Sequence, residues 1–462
     1  MITILPANGI NIFWRISVAG LALAMLSLSD SRADYYAAQN GQTPVGPYTS
    51  WTTAASSIQD AVNAAPTNGV VWVGAGRYTI PTNAVFYQGT NVVYIYKPLI
   101  LRSSNGVPAR TVIDGQGKHR GVTWYYPYSS TNRFLLDGFT VSNCWATNTG
   151  SGIYIVPSVW TAEVQNCIIS DNLALCTQNV AYAYAAGAGI YGSLASGFGM
   201  TVSNCIIRNN HCTNTTMGTM STAGGAYIYG TGRKLVTHCL IESNSGARSG
   251  GLLMGYSPMT VENSILRGNR SLQEFDSNDG GGGVSFSSGE AFVRNCLIYN
   301  NSAGKGGGIY KFASPITGPY TGLLEVVNCT IASNVTTEIA SSAIRFRRLD
   351  RLYLCNSIIY SNNIPVYGDW PMYFTNSWIV STSVVNGVNG VGNITNGIDP
   401  AFIGVEDKDF RLTPSSPCFN TGTNQDWMIN TDDLDGRKRI RYGSVDIGAY
   451  ELINDATIYK FR

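Results

Sequence analysis

The chain of 462 residues contains 51 glycines, 13% charged residues and a formal net charge of +2. So few charges, without a long basic run, argue against nucleic-acid binding, which requires a basic face. The high glycine content is typical of a turn-rich β fold, and a repeat array can use this length as one domain.

The first predicted element is a targeting segment. Residues 16–28 follow Arg15 and form an apolar run that is shorter than the about 20 residues needed to span a bilayer. Ser31 and Ala33 place small residues before a cleavage point. We therefore expect a signal peptide cleaved near Ala33 and a secreted or cell-surface protein. No other segment is apolar enough to predict a transmembrane span in the mature chain.

A short helix is predicted next. Ile58, Ala61, Val62 and Ala65 recur at helical spacing and form one apolar face.

One dipeptide, asparagine followed by cysteine or serine, recurs through the middle of the chain. The copies lie 20 to 38 residues apart, so a constant unit of about 20 residues carries insertions, as in a solenoid. With one histidine variant, the copies are Asn143-Cys144, Asn166-Cys167, Asn204-Cys205, His238-Cys239, Asn263-Ser264, Asn295-Cys296, Asn328-Cys329, Asn356-Ser357 and Asn376-Ser377.

The apolar residues around each copy indicate a corner. One lies three positions before the cysteine or serine and another usually lies two positions after it, as Val202 and Ile207 do around Cys205. Side chains alternate between the faces of a strand, so these two positions share a face only if one residue between them breaks the alternation. Asparagine tolerates the required left-handed conformation. We therefore predict a corner at each asparagine.

The remaining repeat positions predict a stacked tube with two or three strands per coil. Glycine-led strands lie between the copies, and a second asparagine column runs from Asn172 to Asn362. Coils about 4.8 Å apart allow the amides of such columns to bond one another. Cysteine and serine alternate at one inward position, which favours free thiols, although neighbours such as Cys205 and Cys239 also come within bridging range.

The repeats resemble those of the bacterial right-handed parallel β-helix proteins of the pectate-lyase-like superfamily, and also those of chlamydial polymorphic outer-membrane proteins. Asp399-Pro400, Asp409-Phe410-Arg411-Leu412 and Asp446-Ile447-Gly448-Ala449-Tyr450-Glu451 resemble a C-terminal module that often precedes a variable surface anchor. We predict an all-β fold, a right-handed parallel β-helix solenoid with a short N-terminal capping helix and an irregular C-terminal module. The expected boundaries are 1–33 for the signal peptide, 34–110 for the cap and first coils, 111–395 for the β-helix and 396–462 for the module.

Candidate chemistry is confined to two acidic segments. Glu274, Asp276 and Asp279 precede a glycine run and could bind calcium or form a turn, and Asp433 with Asp435 gives a weaker pattern of the same kind. The outward columns predicted from the repeat hold no carboxylate pair on adjacent coils, which a calcium-assisted lyase requires. Catalytic and metal-binding residues stay unassigned, no cofactor is established, and Ca²⁺ is the candidate cation.

Two outward stripes are predicted. The residues directly after the cysteine or serine, such as Leu297 and Trp378, form an apolar stripe that needs a cover, either from inserted loops or the C-terminal segment, or from a partner. The second stripe is aromatic and consists of Tyr154, Tyr191, Tyr227 and, further along, Tyr310.

The tyrosine stripe has two interpretations: it can stack on sugar rings, or it can stabilise the sheet as a ladder. We expect a monomeric, secreted or cell-surface β-helix protein that binds or displays, with extended carbohydrate as the ligand. The alternative is a polysaccharide lyase or glycoside hydrolase whose site is built from loops.

Overall fold

Parallel strands that stack coil upon coil form the body of the molecule. The computed structural model describes residues 34–80, 91–147, 149–176, 184–194, 197–214, 220–256, 258–272, 280–312, 322–337, 342–347, 351–362, 366–368, 372–379, 387–395 and 397–453. Within these ranges, all paired strands are parallel except Phe402–Gly404 and Asp409–Leu412. The chain is a right-handed parallel β-helix, which confirms the predicted fold class.

The strands form three long parallel sheets and one short one. In the described residues, sheet 1 has two rows, made by Asp34–Ala37, Val70–Val73, Asn91–Ile95, Ile100–Ser103, Arg120–Asp137, Ile153–Gln165, Ile190–Leu194, Gly199–Ser203, Ala226–Gly230, Lys234–Thr237, Leu252–Gly255, Met259–Glu262, Val284–Ser287, Ala291–Arg294, Gly306–Phe312, Leu323–Val327, Ser342–Arg347, Arg351–Cys355, Val366–Gly368, Met372–Thr375 and Gly387–Asn389. Sheet 2 contains Gly76–Tyr78, Thr111–Asp114, Thr140–Ser142, Ile168–Ser170, Ile206–Arg208, Leu240–Glu242, Ile265–Arg267, Leu297–Tyr299, Thr330–Ala332, Ile358–Tyr360 and Trp378–Ile379. Sheet 3 contains Trp145–Ala146, Leu173–Cys176, His211–Asn214, Ser245–Gly246, Arg270–Ser271, Ser302–Ala303 and Val335–Thr336, and the short sheet pairs Tyr184–Ala185 with Met220–Ser221. A central coil thus carries four short strands in these sheets, more than the two or three that the repeat predicts.

The predicted cap is present at the N-terminal end. The helix Ile58–Ala64 begins after Ser57, whose hydroxyl accepts the Asp60 backbone N–H at 3.1 Å. Ile58, Ala61 and Val62 are buried in the same apolar cluster as the tube interior. The helix therefore covers the end of the core that the first coil would otherwise expose. Short 3₁₀ turns occupy Trp51–Thr53, Pro108–Arg110 and Asp426–Met428.

The predicted corners lie between the second row of sheet 1 and sheet 2. The corner residues from Asn166 to Asn376 have φ between 45° and 53°, and His238 adopts the same conformation at 52°. These values lie in the left-handed region that asparagine tolerates, so the predicted corner is confirmed for eight of the nine copies.

The first copy of the motif was assigned to the wrong corner. Ile169 pairs with Val141, so Val141 follows the first corner instead of preceding it. Asn143 then turns the chain at a second corner, between sheets 2 and 3, where Asp171 and Asn209 also have positive φ. The same dipeptide suits either corner because both require a left-handed residue.

The second asparagine column forms a continuous buried ladder behind this second corner. Each side-chain amide donates to the carbonyl oxygen of the next asparagine at 2.8 to 3.1 Å. Each also donates to a backbone carbonyl of sheet 2 in the preceding coil, as Asn269 does to Ile241 at 2.8 Å. The side-chain oxygen also accepts a backbone N–H of the preceding coil. At the start of the column, the Cys144 N–H donates to the side-chain oxygen of Asn172 at 3.0 Å. The ladder consists of Asn172, Asn210, Asn244, Asn269, Asn301, Asn334 and Asn362.

The tube interior is apolar and contains the column of small residues at the first corner. From Cys167 to Ser377 these residues are at most 3% exposed, and the thiols donate to backbone carbonyls, as Cys205 does to Ser203 at 3.1 Å. The column thiols, including the neighbours Cys205 and Cys239, are free in this structure. Burial raises the pKa of Cys205, which keeps this thiol protonated and unreactive.

The C-terminal module covers half of the apolar stripe on sheet 2. Phe402, Phe410 and Ile447 pack against Leu297 and Trp378 in one cluster. The described part of the module ends at residue 453. The expectation that the C-terminal segment covers this stripe is thus confirmed for the coils from Leu297 onward.

The first-corner asparagines bind the backbone of the module. Asn356 donates to the Thr423 carbonyl and accepts the Thr423 N–H, both at 2.8 Å. Asn328 donates to the Asp446 carbonyl at 3.0 Å, and Asn376 to the Thr421 carbonyl at 2.9 Å. The corner column therefore serves two purposes, turning the chain and anchoring the module.

A buried ion pair completes this attachment. Arg439 is fully buried, and its Nη1 donates to Oε1 of Glu451 at 2.7 Å. Its Nη2 donates to the Asn295 side chain and to the Gly448 carbonyl. One arginine thus links the module to the β-helix.

Replacing a ladder amide should destabilise the whole tube. In Asn269→Ala, Asn244 loses its acceptor and the Ile241 carbonyl loses a donor, all in a buried setting, so we expect a loss of about 3 kcal/mol or more. Chemical denaturation followed by circular dichroism measures the effect. The control is Asn204→Gly at an exposed corner, which keeps the left-handed backbone and should cost less than about 1 kcal/mol. Equal losses in both variants would contradict the assigned role of the ladder.

Removing one partner of the buried ion pair should loosen the module. Arg439→Met leaves the Glu451 carboxylate buried without its cation, which we expect to cost about 3–5 kcal/mol. The double variant Arg439→Met/Glu451→Gln removes both charges and should recover part of this loss. Limited proteolysis near residue 397 reports on release of the module. If the single variant resists the protease as the unmodified protein does, the pair does not hold the module.

Candidate functional site

The tyrosine stripe lies on the outer face of the first row of sheet 1. Tyr154, Tyr191 and Tyr227 occupy the same register position on three successive coils. Their neighbours Ile153 and Ile155 are fully buried inside the tube. Strand alternation therefore directs the three tyrosines outward, as the sequence predicts.

A fourth tyrosine joins these three. Tyr229 stacks on Tyr227 with ring centroids 5.1 Å apart, and its hydroxyl accepts the Tyr191 hydroxyl at 3.1 Å. Tyr154 stacks on Tyr191 at 5.2 Å with an interplanar angle of 9°. We call these four residues the tyrosine cluster. Tyr229 was absent from the prediction, although its spacing of two from Tyr227 places it on the same strand face.

The four tyrosines differ in exposure. Tyr191 is only 4% exposed because it lies between its neighbours, whereas Tyr154, Tyr227 and Tyr229 are half-buried. Tyr154 stacks on Tyr191 and Tyr227 stacks on Tyr229, whereas Tyr191 meets Tyr227 and Tyr229 at interplanar angles of 61° and 64°.

Tyr310 does not extend the cluster. It lies in the same register column, but Leu253 and Ser285 separate it from Tyr227. It stacks on Phe312 at 5.4 Å and is 1% exposed. The structure therefore brings together three of the four predicted tyrosines and leaves Tyr310 outside the group.

A fixed cation lies beside the cluster. The Arg120 guanidinium is 4.9 Å from the centre of the Tyr154 ring. It is held there by hydrogen bonds to the backbone carbonyls of Thr149 and Gly150 at 2.8 and 2.9 Å. The cluster is thus bounded at one end by a positive charge whose position is set by the backbone.

The acidic candidates give no metal site in the described part of the chain. Glu274, Asp276 and Asp279 lie outside the described residues. Asp433 accepts the backbone N–H groups of Asp435 and Arg437 at 2.9 and 2.8 Å, so it forms the turn that was the alternative to calcium binding. Among the residues the structure describes, no group of three or more His, Cys, Asp or Glu side chains could hold a metal ion.

Comparison with known proteins agrees with the architecture. Residues 111–266 and 173–318 match the family model of the right handed beta helix region, so the central coils are identified by sequence as well as by structure. No curated protein matches the chain. No helix in the described residues is long and apolar enough to cross a membrane.

The solved structures that are similar to the chain include the following two. Pectate lyase Pel9A has a TM-score of 0.49 and 17% identity, with 91% of this chain and 96% of that chain covered. The A-module of mannuronan C-5 epimerase AlgE4 from Azotobacter vinelandii has a TM-score of 0.29 and 15% identity, with 71% of this chain and 91% of that one covered.

Proposed function

We propose that the protein is exported and binds extended carbohydrate on the outer face of sheet 1. The observation that carries this proposal is the tyrosine cluster, with three half-exposed tyrosines on adjacent coils within a regular parallel sheet. Tyrosine offers an apolar ring and a hydroxyl together, which suits a ligand with alternating apolar and hydroxyl surfaces. The sheet has the same strand positions on every coil, and it can therefore present equivalent positions to the successive units of a repeating polymer.

The arrangement around the cluster supports binding by preformed contacts. The Tyr191 hydroxyl is already bonded to that of Tyr229, and the rings restrain each other by stacking. Side chains held in place before binding lose little conformational entropy when a ligand arrives. Arg120 adds a charge at the rim that favours an acidic sugar unit over a neutral one.

Removing the two tyrosines at one end of the cluster tests the proposal. The purified protein is incubated with a panel of acidic and neutral polysaccharides, with and without calcium, and retention and dissociation constants are measured. In Tyr227→Ala/Tyr229→Ala we expect binding to weaken about tenfold, since each aromatic contact contributes roughly 0.5–1.5 kcal/mol.

A matched control is available on the second row of sheet 1. Tyr353 and Tyr373 also stack, at 5.1 Å, on adjacent coils, and Tyr353→Ala/Tyr373→Ala should leave binding unchanged. If both double variants bind as the unmodified protein does, the cluster is not the binding surface. Unsaturated products or new reducing ends would instead show an enzyme and contradict a role limited to binding.

A further inference from the structure

A lysine with no hydrogen-bond partner in the described part of the chain lies inside the tube. Lys311 belongs to the strand Gly306–Phe312 and occupies the inward position between Phe286 and Phe346 of the neighbouring coils. All three side chains are 0% exposed. The Lys311 Nζ atom is buried and makes no hydrogen bond to the residues that the structure describes. A polar group in this state costs free energy that a methionine or leucine of similar size would not.

Another inward lysine shows how such a group is normally satisfied. Lys234 is equally buried, but its Nζ donates to the carbonyls of Gly230 and Gly232, both at 2.6 Å. Lys311 Nζ makes no such bond to a carbonyl of the described residues. The fold can therefore place an inward lysine so that its amine is hydrogen-bonded, as at Lys234, but it does not do so at Lys311.

No carboxylate in the described surroundings neutralises Lys311. The strands packed against Gly306–Phe312 are Val284–Ser287, Ser302–Ala303, Val335–Thr336 and Ser342–Arg347, and their only charged side chains are Arg345 and Arg347. The corner thiols of the preceding and the same coil, Cys296 and Cys329, are buried, and burial raises the pKa of Cys296. The surroundings of the amine are therefore apolar or cationic.

We propose that Lys311 makes the closure of the tube at the strand Gly306–Phe312 dependent on pH. The strand stays packed while the amine is neutral. Protonation favours a local opening that carries the ammonium to water. Tyr310, which is buried on the outer face of the same strand, becomes accessible in that open state.

The direction of the pH dependence follows from linkage. Burial lowers the pKa of Lys311 from 10.5 to about 7, whereas in the open state the amine recovers its ordinary pKa. Between these two pKa values, the open state therefore binds a proton more tightly than the closed state does. Opening becomes easier as pH falls towards 7, by about tenfold per pH unit, and stops changing below 7.

Hydrogen–deuterium exchange of the full-length protein tests this inference. Between pH 9 and pH 7, after correction for the intrinsic exchange rate, amides of residues 306–312 should exchange about 50-fold faster at the lower pH. In Lys311→Met the same amides should lose this dependence, because no proton binds there. In the control Lys305→Met, which removes a half-buried lysine of the preceding turn, the dependence should remain.

Equal pH dependence in the unmodified protein and in Lys311→Met would overturn the proposal. A second measurement needs no folded variant: nuclear magnetic resonance of the protein with ¹³C-labelled lysine ε-carbons follows each amine during a pH titration. Burial also lowers the pKa values of Lys97 and Lys234. One amine beyond these two should titrate far below the ordinary value of about 10.4. If every other lysine titrates near that value, Lys311 is not a buried neutral amine and the proposal fails.

Discussion

The ladder of buried asparagine amides is the constraint on which the rest of the molecule depends. Each amide has two donor hydrogens and one acceptor oxygen, and the ladder gives all of them partners in the neighbouring coils, as at Asn269. Leaving such a group unbonded in the core costs about 1–3 kcal/mol. A coil that slips by one residue loses these bonds, so the ladder sets the register of sheets 2 and 3 through seven consecutive coils.

Because the ladder and the apolar core hold the coils from within, the outer faces are free to differ. Sheet 2 carries an apolar stripe that the C-terminal module covers from Leu297 onward, and the corner asparagines hold the module backbone there. The first row of sheet 1 carries the tyrosine cluster instead. The two surfaces lie on different coils of the same tube, one used for attachment within the chain and the other proposed to receive a ligand.

Several features could be predicted from the sequence because they follow from local backbone rules. The corner at Asn204 was predictable since positions separated by five residues had to face inward, and a left-handed residue is the simplest way to achieve that. Asn143 was misplaced because both corners accept the same residue type. Alternation alone also places Lys311 inward, because it lies two positions after the inward Ile309 and directly after the outward Tyr310.

The exposure of the tyrosines was not predictable from spacing. Alternation shows that Tyr191 and Tyr310 point outward, but their burial depends on the neighbouring rings and on the packing of the coils around them. The contacts of Arg439 were equally hidden, since Asn295 lies 144 residues away in sequence. Such long-range contacts exist only once the module has docked on the folded tube.

The most direct test of the account is the exchange of the asparagine side-chain amides themselves. With ¹⁵N-labelled asparagine, nuclear magnetic resonance can follow each amide group as it exchanges with deuterated solvent. The account predicts that the amides of the seven ladder residues exchange at least about 100-fold more slowly than that of the exposed corner Asn204. Similar rates for the ladder and the corner would contradict it, because the buried amides would then not be held by a continuous hydrogen-bonded column.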